Sequence, residues 1–304
     1  MTQSQPPLSD SYLQRFAGVG RLYGHNSLSA LAAAHFVVIG IGGVGTWVAE
    51  ALARSGIGQL TLIDLDDICV SNTNRQLHAL QSTLGQPKTA VMAERLRGIN
   101  PEIKVVEVMD FITRRNVESL LKPGVHHVVI DAADSAHAKS SVIAFCRRHK
   151  MQVLTVGSAG GKTDPRLITS ADLRLAHMDP LLSKVRNQLR RLHGFSRNTK
   201  RRFLVEAIYS EQQMVYPADD GGVTSTKPFV KGGVKLDCSG GVGTTSMITG
   251  TFGLITASRA IERYLDRLPE SATQLAPDQA EAVAAQGDVS LAEKNALADL
   301  PLAE

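Results

Sequence analysis

Six residues, Gly40-Ile41-Gly42-Gly43-Val44-Gly45, close a β-branched apolar run at 35–40 and open a helical pattern at 44–55. In that pattern Trp47, Ala51 and Leu52 share one face. Glycines at such a junction let the backbone turn tightly and bring its N–H groups up to phosphates, and the helix N-terminus adds partial positive charge. Asp64, nineteen residues past Gly45, ends the next apolar run at 60–65, where a carboxylate can accept both hydroxyls of a ribose. Glycine turns also occur for packing alone. The strand before, the helix after and the acid together predict a nucleotide cradle.

The same alternation continues down the chain. A helix is expected over 88–98 behind Pro87, strands over 103–109 and 127–131, a helix over 136–148 and a strand over 153–156. This predicts an α/β fold, a Rossmann-like, mostly parallel sheet flanked by helices. After Gly157-Ser158-Ala159-Gly160-Gly161 the pattern loosens. A helix is predicted over 180–193, with Asp179 as cap, Pro180 as first residue and Gly194 as stop. Strands follow over 203–209 and 214–216, then a long loop over 217–235 and a terminal helix over 245–265. Three regions are expected: 12–160 around the cradle, 161–268 packed on the same sheet, and a flexible, acidic, Ala-rich tail at 269–304. The first two read as one compound domain.

Composition narrows the class. Apolar residues at 43% and charged residues at 20% exclude wholesale disorder. Three scattered cysteines, Cys69, Cys146 and Cys238, form no C-x-x-C pair, which argues against a disulfide framework or zinc ribbon and for a reducing, cytoplasmic compartment. Cys69 and Cys146 sit in apolar patterns and are expected in the core; Cys238 lies in a Gly-rich loop. Residues 1–12 lack the features of a secretory signal. The apolar stretch 242–257 falls short of the roughly 20 residues that span a bilayer, so it is read as a buried helix rather than a membrane segment. The net charge of +4 divides into −6 on the tail and +10 on the body, which suits a polyanionic partner, though many basic proteins look the same.

Arg75 and Lys88 follow the second strand. A nicotinamide dinucleotide has little use for cations converging there. A triphosphate does, because they offset charge on a departing pyrophosphate; each alone also fits a solvated surface. Together with the glycine turn, Asp64 and Asp66, the run Ser71-Asn72-Thr73-Asn74-Arg75-Gln76, Gly85-Gln86-Pro87-Lys88 and Asp131-Ala132-Ala133-Asp134 resemble the adenylating fold shared by ubiquitin-activating enzymes and their bacterial relatives ThiF and MoeB. That resemblance spans about residues 12–160. It implies ATP and Mg²⁺ as cofactors and activation of a carboxylate as an acyl-adenylate. Carried over residue by residue, Gly40, Gly42, Gly43, Gly45, Asp66 and Gln76 belong to the ATP site, Asp64 holds the ribose, and Asn72 and Arg75 contact phosphates. Lys88 stabilises the transition state and Asp134 binds the metal, so that Arg75, Lys88 and Asp134 form the catalytic set. Arg21 is the candidate to reach a neighbouring subunit's ATP in a homodimer. Asp134 could instead cap the helix starting nearby, with Ser135 as a competing cap.

Sulfur-carrier activators of this superfamily usually add paired C-x-x-C motifs, which this chain lacks. It has instead eight cations without an acid between 184 and 202: Lys184, Arg186, Arg190, Arg191, Arg197, Lys200, Arg201 and Arg202. With Leu181, Val185, Leu189 and Leu192 as the buried stripe, the opposite face offers phosphate contacts to a nucleic acid, or simply a solvated surface. The whole pattern to about residue 265, including Cys146-Arg147-Arg148 and the 235–241 segment, resembles the family of bacterial tRNA threonylcarbamoyladenosine dehydratases. The resemblance implies that ATP activates the threonylcarbamoyl carboxylate on the adenosine beside the anticodon, and that a nucleophile of the same side chain closes a ring with loss of water. It implies tRNA, not DNA, as partner, a homodimer, and a contact through Cys238 with a cysteine desulfurase and its sulfur acceptor. The carbonyl-rich turn at 238–243 could hold Na⁺ or K⁺. Two other readings stay open: an adenylyltransferase acting on the C-terminus of a ubiquitin-like sulfur carrier, and a nucleotide-dependent tRNA scaffold without chemistry.

Overall fold

The computed structural model of the chain describes residues 7–218, 220–226 and 242–268. Its β-branched runs become β1 (His35–Ile39), β2 (Gln59–Ile63), β3 (Lys104–Val108), β4 (Val128–Asp131) and β5 (Gln152–Val156), paired in parallel in the order β3-β2-β1-β4-β5. Val37 stands opposite Thr61 on one side and Val129 on the other. Beyond β5 lies β7 (Glu206–Ser210), again parallel, and β6 (Ile168–Asp172) closes the edge antiparallel to it. Strand order reverses between β1 and β4, so the loops leaving their C-terminal ends diverge and open a crevice.

Side-chain alternation builds a core on each face of the sheet. Phe36 and Val38 pack with α3 (Gly43–Arg54), α4 (Lys88–Ile99) and α8 (Ser246–Leu265); Val37 and Ile39 pack with the short α5 (Val117–Leu120), α6 (Ala136–Arg148) and α7 (Pro180–Leu192). The β3 edge carries exposed Lys104 and an Arg97–Glu107 ion pair at 3.0 Å, charges that discourage edge-to-edge pairing. Glu206 of β7 is buried against Arg259 and Arg263 of α8, at 2.6 and 2.7 Å. Burial pushes its carboxyl up, but the hydrogen bonds from both arginines outweigh this and hold it below the ordinary value. At the N-terminal ends of β1 and β4, His35, His126 and His127 cluster; His35 N–H donates to His127 Nδ1 at 2.9 Å, and the His35 and His126 rings meet edge to face.

Several elements differ from the sequence expectation, each for a local reason. Two helices before β1, α1 (Asp10–Tyr23) and α2 (Ser27–Ala33), escaped it; Ser9 caps α1, and Tyr12, Leu13 and Phe16 pack on Leu28. The strand expected over 203–209 begins only at Glu206. Asp172 takes the Phe203 and Leu204 N–H groups at 3.0 and 2.8 Å, and Leu204 adopts φ +57°, which breaks extended structure. The strand expected over 214–216 reduces to β8 (Tyr216–Pro217), paired with β9 (Val223–Thr224) inside the expected loop. Cys146 is buried, but Cys69 is exposed, because in the run after Asp67 only Ile68 packs inward. Leu192 is 48% exposed and leaves the buried stripe of α7 to Leu181, Leu182, Val185 and Leu189. The 242–257 stretch enters a helix only at Ser246 and exposes Met247 and Leu254, so it is buried on one face rather than throughout. No described helix is long and apolar enough to cross a membrane. Cys238, most of the 238–243 turn and the tail at 269–304 lie outside the described residues.

Candidate active site

The glycine turn is held by its neighbours before any ligand is considered. Gly40 has φ +86°, and a Cβ there would meet the Ala132 carbonyl oxygen at 2.9 Å. A Cβ on Gly45 would fall 1.8 Å from the Gly40 oxygen, so helix and strand approach this closely only with glycine. Between them, Ile41 donates its N–H to Asp64 Oδ2 at 2.6 Å and accepts from His78 Nε2 at 3.1 Å. Burial drives His78 down to about 4, so its ring stays neutral near pH 7 and keeps that donor in place. Asp64 also accepts the Asp66 N–H at 2.9 Å. Burial raises its carboxyl above the ordinary value, with the Lys88 charge and these two N–H groups pulling it only part of the way back.

A cleft of about 1000 Å³ opens above the crevice, lined by Gly40, Gly42, Gly43, Asp64, Asp66, Arg75, Gln76, Lys88 and Asp134 among others. Lys88 is the first residue of α4; its N–H donates to the Asp66 carbonyl at 3.1 Å and its buried Nζ to Asp66 Oδ2 at 2.8 Å. Arg75 is fixed through its backbone, whose carbonyl accepts from Trp47 Nε1 and Thr249 Oγ1, while its Nη1 donates to the Ser71 carbonyl at 2.6 Å. Gln76 is buried, and its Oε1 has no hydrogen-bond partner among the described residues. Asp134 is exposed and makes no hydrogen bond or ion pair with a described residue, for Ser135 is the cap of α6. Below it, Asp131 is fully buried, 3.2 Å from Lys139 Nζ, and accepts the Thr155 hydroxyl at 2.8 Å. Burial raises its carboxyl despite that cation.

Other expected site residues lie elsewhere. Asn72 is buried, with its Oδ1 accepting the Cys69 N–H at 3.1 Å; Asn74 lines the cleft instead and donates to the Thr244 carbonyl at 2.9 Å. Gly45 packs behind the turn, and Arg21 is exposed in the last turn of α1 without lining the cleft. Along the basic run, Lys184, Arg191, Arg197, Lys200, Arg201 and Arg202 are exposed. Arg186 is turned inward, Nη1 donating to the Ala176 and Leu173 carbonyls at 2.6 and 3.3 Å, and Arg190 lies over the Phe203 ring. Among the described residues no group of three or more His, Cys, Asp or Glu is arranged to hold a metal ion.

Sequence reading missed the 110–114 segment, His137, Ser158 and Thr244, all of which line the cleft. The first of these follows β3 on the same C-terminal side as the glycine turn, a position the strand alternation already implied. Ser158 belongs to a glycine run that reads as a boundary, yet Asp179 accepts its N–H at 2.7 Å and the Leu182 N–H at 2.9 Å, tying the cleft wall to α7.

Residues 14–294 match the model of the ThiF family. The chain is 49% identical over 258 residues to the tRNA threonylcarbamoyladenosine dehydratase of Haemophilus influenzae, covering 85% of this chain and 96% of that one. It is 46% identical to the enzyme of that name from Escherichia coli, with the same coverage. The crystal structure of E. coli tRNA N6-threonylcarbamoyladenosine dehydratase in complex with ATP superposes with a TM-score of 0.77 at 43% identity, covering 86% of this chain and 98% of that one.

Proposed function

This chain belongs to the ThiF family, and on that footing we propose that it is an ATP-dependent enzyme that dehydrates N6-threonylcarbamoyladenosine in tRNA. The observation that carries the reading is one cleft gathering the glycine turn, Asp64, Arg75, Lys88 and Asp134 from separate loops, in a chain similar to such dehydratases over nearly their whole length. An adenylyltransferase acting on a sulfur carrier is the weaker reading, because the chain has no C-x-x-C pair.

The residues fit a nucleoside triphosphate. The turn and the first N–H groups of α3 face phosphates, and Asp64 accepts ribose hydroxyls. Arg75 and Lys88 compensate charge as the α-phosphate is attacked, which is where preorganised cations act most strongly. Mg²⁺ is commonly held by one or two carboxylates plus phosphate oxygens, and Asp134, without a partner among the described residues, fits that role; the ion when bound would neutralise phosphate charge. The threonylcarbamoyl carboxylate forms a bond to the α-phosphorus as pyrophosphate leaves. A nucleophile of the same side chain then displaces AMP and loses its proton, so the substrate gives up one water overall. Because this closure is intramolecular, positioning supplies much of the acceleration. The cleft, about 1000 Å³, is at the upper end for a single small ligand and leaves room for the acyl group.

The finer parts of the proposal are a homodimer in which Arg21 reaches the cleft of a second copy, the substrate adenosine beside the anticodon, and a cytoplasmic site of action. Contacts of the exposed 184–202 cations with tRNA, of Cys238 with a cysteine desulfurase and its sulfur acceptor, and a Na⁺ or K⁺ near 238–243 complete it. Mass spectrometry of threonylcarbamoylated tRNA should register loss of one water after incubation with enzyme, Mg²⁺ and ATP. Lys88→Ala and Asp134→Ala should each slow that loss by about 10²-fold or more. Unchanged tRNA mass with a folded, ATP-binding wild type would overturn the reading.

A further inference from the structure

A second cavity, about 370 Å³, opens beside the cleft between the C-terminal turn of α6 and the segment 193–204. Arg147, Arg148, Arg201 and Arg202 line it, and among the described residues no acidic one does. His193 lines both cavities, and Arg114 lines the cleft. Cations therefore run from the rim of the cleft into the smaller pocket.

Their positions are set by the fold. Arg147 and Arg148 occupy the last turn of α6, where the carbonyl end of a helix favours positive charge. Arg201 and Arg202 precede the two residues whose N–H groups Asp172 accepts, and Phe203 is wedged between the Phe195 ring and the Arg190 guanidinium. Arg202 Nε lies 3.8 Å from Asp172 Oδ2, but that carboxylate is already committed to three backbone N–H groups. The crowding of like charges is felt locally: burial, then Arg114 and Arg148, lower the basicity of His193. Such a gathering is unfavourable alone and offset by a bound anion. A small anion would fill one spot, whereas cations leading out of a cleft match a polymer whose one residue enters that cleft.

We propose that this pocket holds backbone phosphates of the RNA flanking the nucleoside in the cleft, an inference that rests on the proposed function. It keeps Arg201 and Arg202 of the 184–202 run, where the sequence put the RNA contact, and adds Arg147 and Arg148 at the C-terminal end of α6. The test uses the full chain, its modified tRNA, and the pair Arg148→Gln/Arg201→Gln, with Lys104→Gln/Lys122→Gln, exposed residues that line neither cavity, as a control of equal charge. Removing a cation that neutralises one phosphate should lower the slope of log affinity against log salt by about 0.7–0.9. The pocket pair, short of two cations, should therefore lower the slope by about 1.4–1.8 and lose roughly 25- to 60-fold in tRNA affinity near 0.1 M salt, with ATP affinity unchanged, while the control keeps the wild-type slope. Arg148→Lys/Arg201→Lys should recover most of the affinity. An unaltered slope in the pocket pair would overturn the proposal, as would equal losses in pocket and control pairs. So would retained tRNA affinity with loss of an acidic protein partner. In all three cases wild-type dehydration of the tRNA leaves the proposed function standing, whereas a wild type that does not dehydrate it refutes that function first.

Discussion

Replacing Lys139 by methionine tests whether the floor of the cleft is held by charge. Lys139 is fully buried, and its Nζ donates to the Asp131 carbonyl at 2.9 Å and to Thr155 Oγ1 at 3.3 Å while standing 3.2 Å from Asp131 Oδ2. Methionine fills similar volume without the charge. Asp131, also fully buried, would keep only the Thr155 hydroxyl and the Ala133 N–H. Removing one partner of such a pair costs about 3–5 kcal/mol, a large share of the roughly 5–15 kcal/mol that stabilises a whole domain.

The deficit should also depend on pH. Burial already raises the Asp131 carboxyl against the pull of Lys139, and without the cation it rises further. A carboxyl raised in the folded state contributes its stability below the unfolded pKa of about 3.9 and loses it as pH climbs through the folded value. Urea midpoints read from Trp47, the single tryptophan, should therefore fall further behind wild type at about pH 7.5 than at about pH 5. Asp131→Asn in the Lys139→Met background removes the stranded charge and should restore more than half of the loss. A single variant that loses less than about 1 kcal/mol at both pH values, or a double variant no more stable than the single, would refute the reasoning.

Gly45→Ala would put a Cβ 1.8 Å from the Gly40 oxygen; the turn must shift, at about 1–3 kcal/mol of stability, and calorimetry should detect little ATP binding, whereas wild-type affinity would show the close approach to be dispensable. His35 and His78 are each held down to about 4, chiefly by burial, from an ordinary 6.5. Such depressed groups contribute fully above pH 6.5 and lose stability as pH falls towards 4, about 3 kcal/mol each. His35→Gln should flatten the decline in urea midpoint across that interval, and an unchanged decline would count against burial as its cause.

The parallel sheet was legible because its strands are short β-branched runs, each bounded by a turn or a helix signal. Helix α6 was read to the residue, since Ser135 caps it and Lys150 follows with φ +56°. What escaped depends on contacts remote in sequence. Strand β6 draws its partner from β7, and Asp172 decides where β7 begins by taking two N–H groups more than thirty residues away. In the cleft, residues that adjoin the glycine turn in sequence or follow β2 were legible. Asn74 and Asn72 were not separable, because both are amides in one short run and only the local 3₁₀ turn turns one inward. Arg186 looked like its neighbours until the carbonyls of 173 and 176 claimed it.

The histidine cluster and the cleft occupy opposite ends of β1 and β4, strands of four or five residues, some 15 Å apart at about 3.3 Å per residue. Acid therefore reaches the sheet at two separate points over one pH range, His35 in the cluster under its foundation and His78 behind the glycine turn. Substitutions in the cluster can tune tolerance to acidity away from the nucleotide, whereas a change at His78 alters acid tolerance and the glycine turn together.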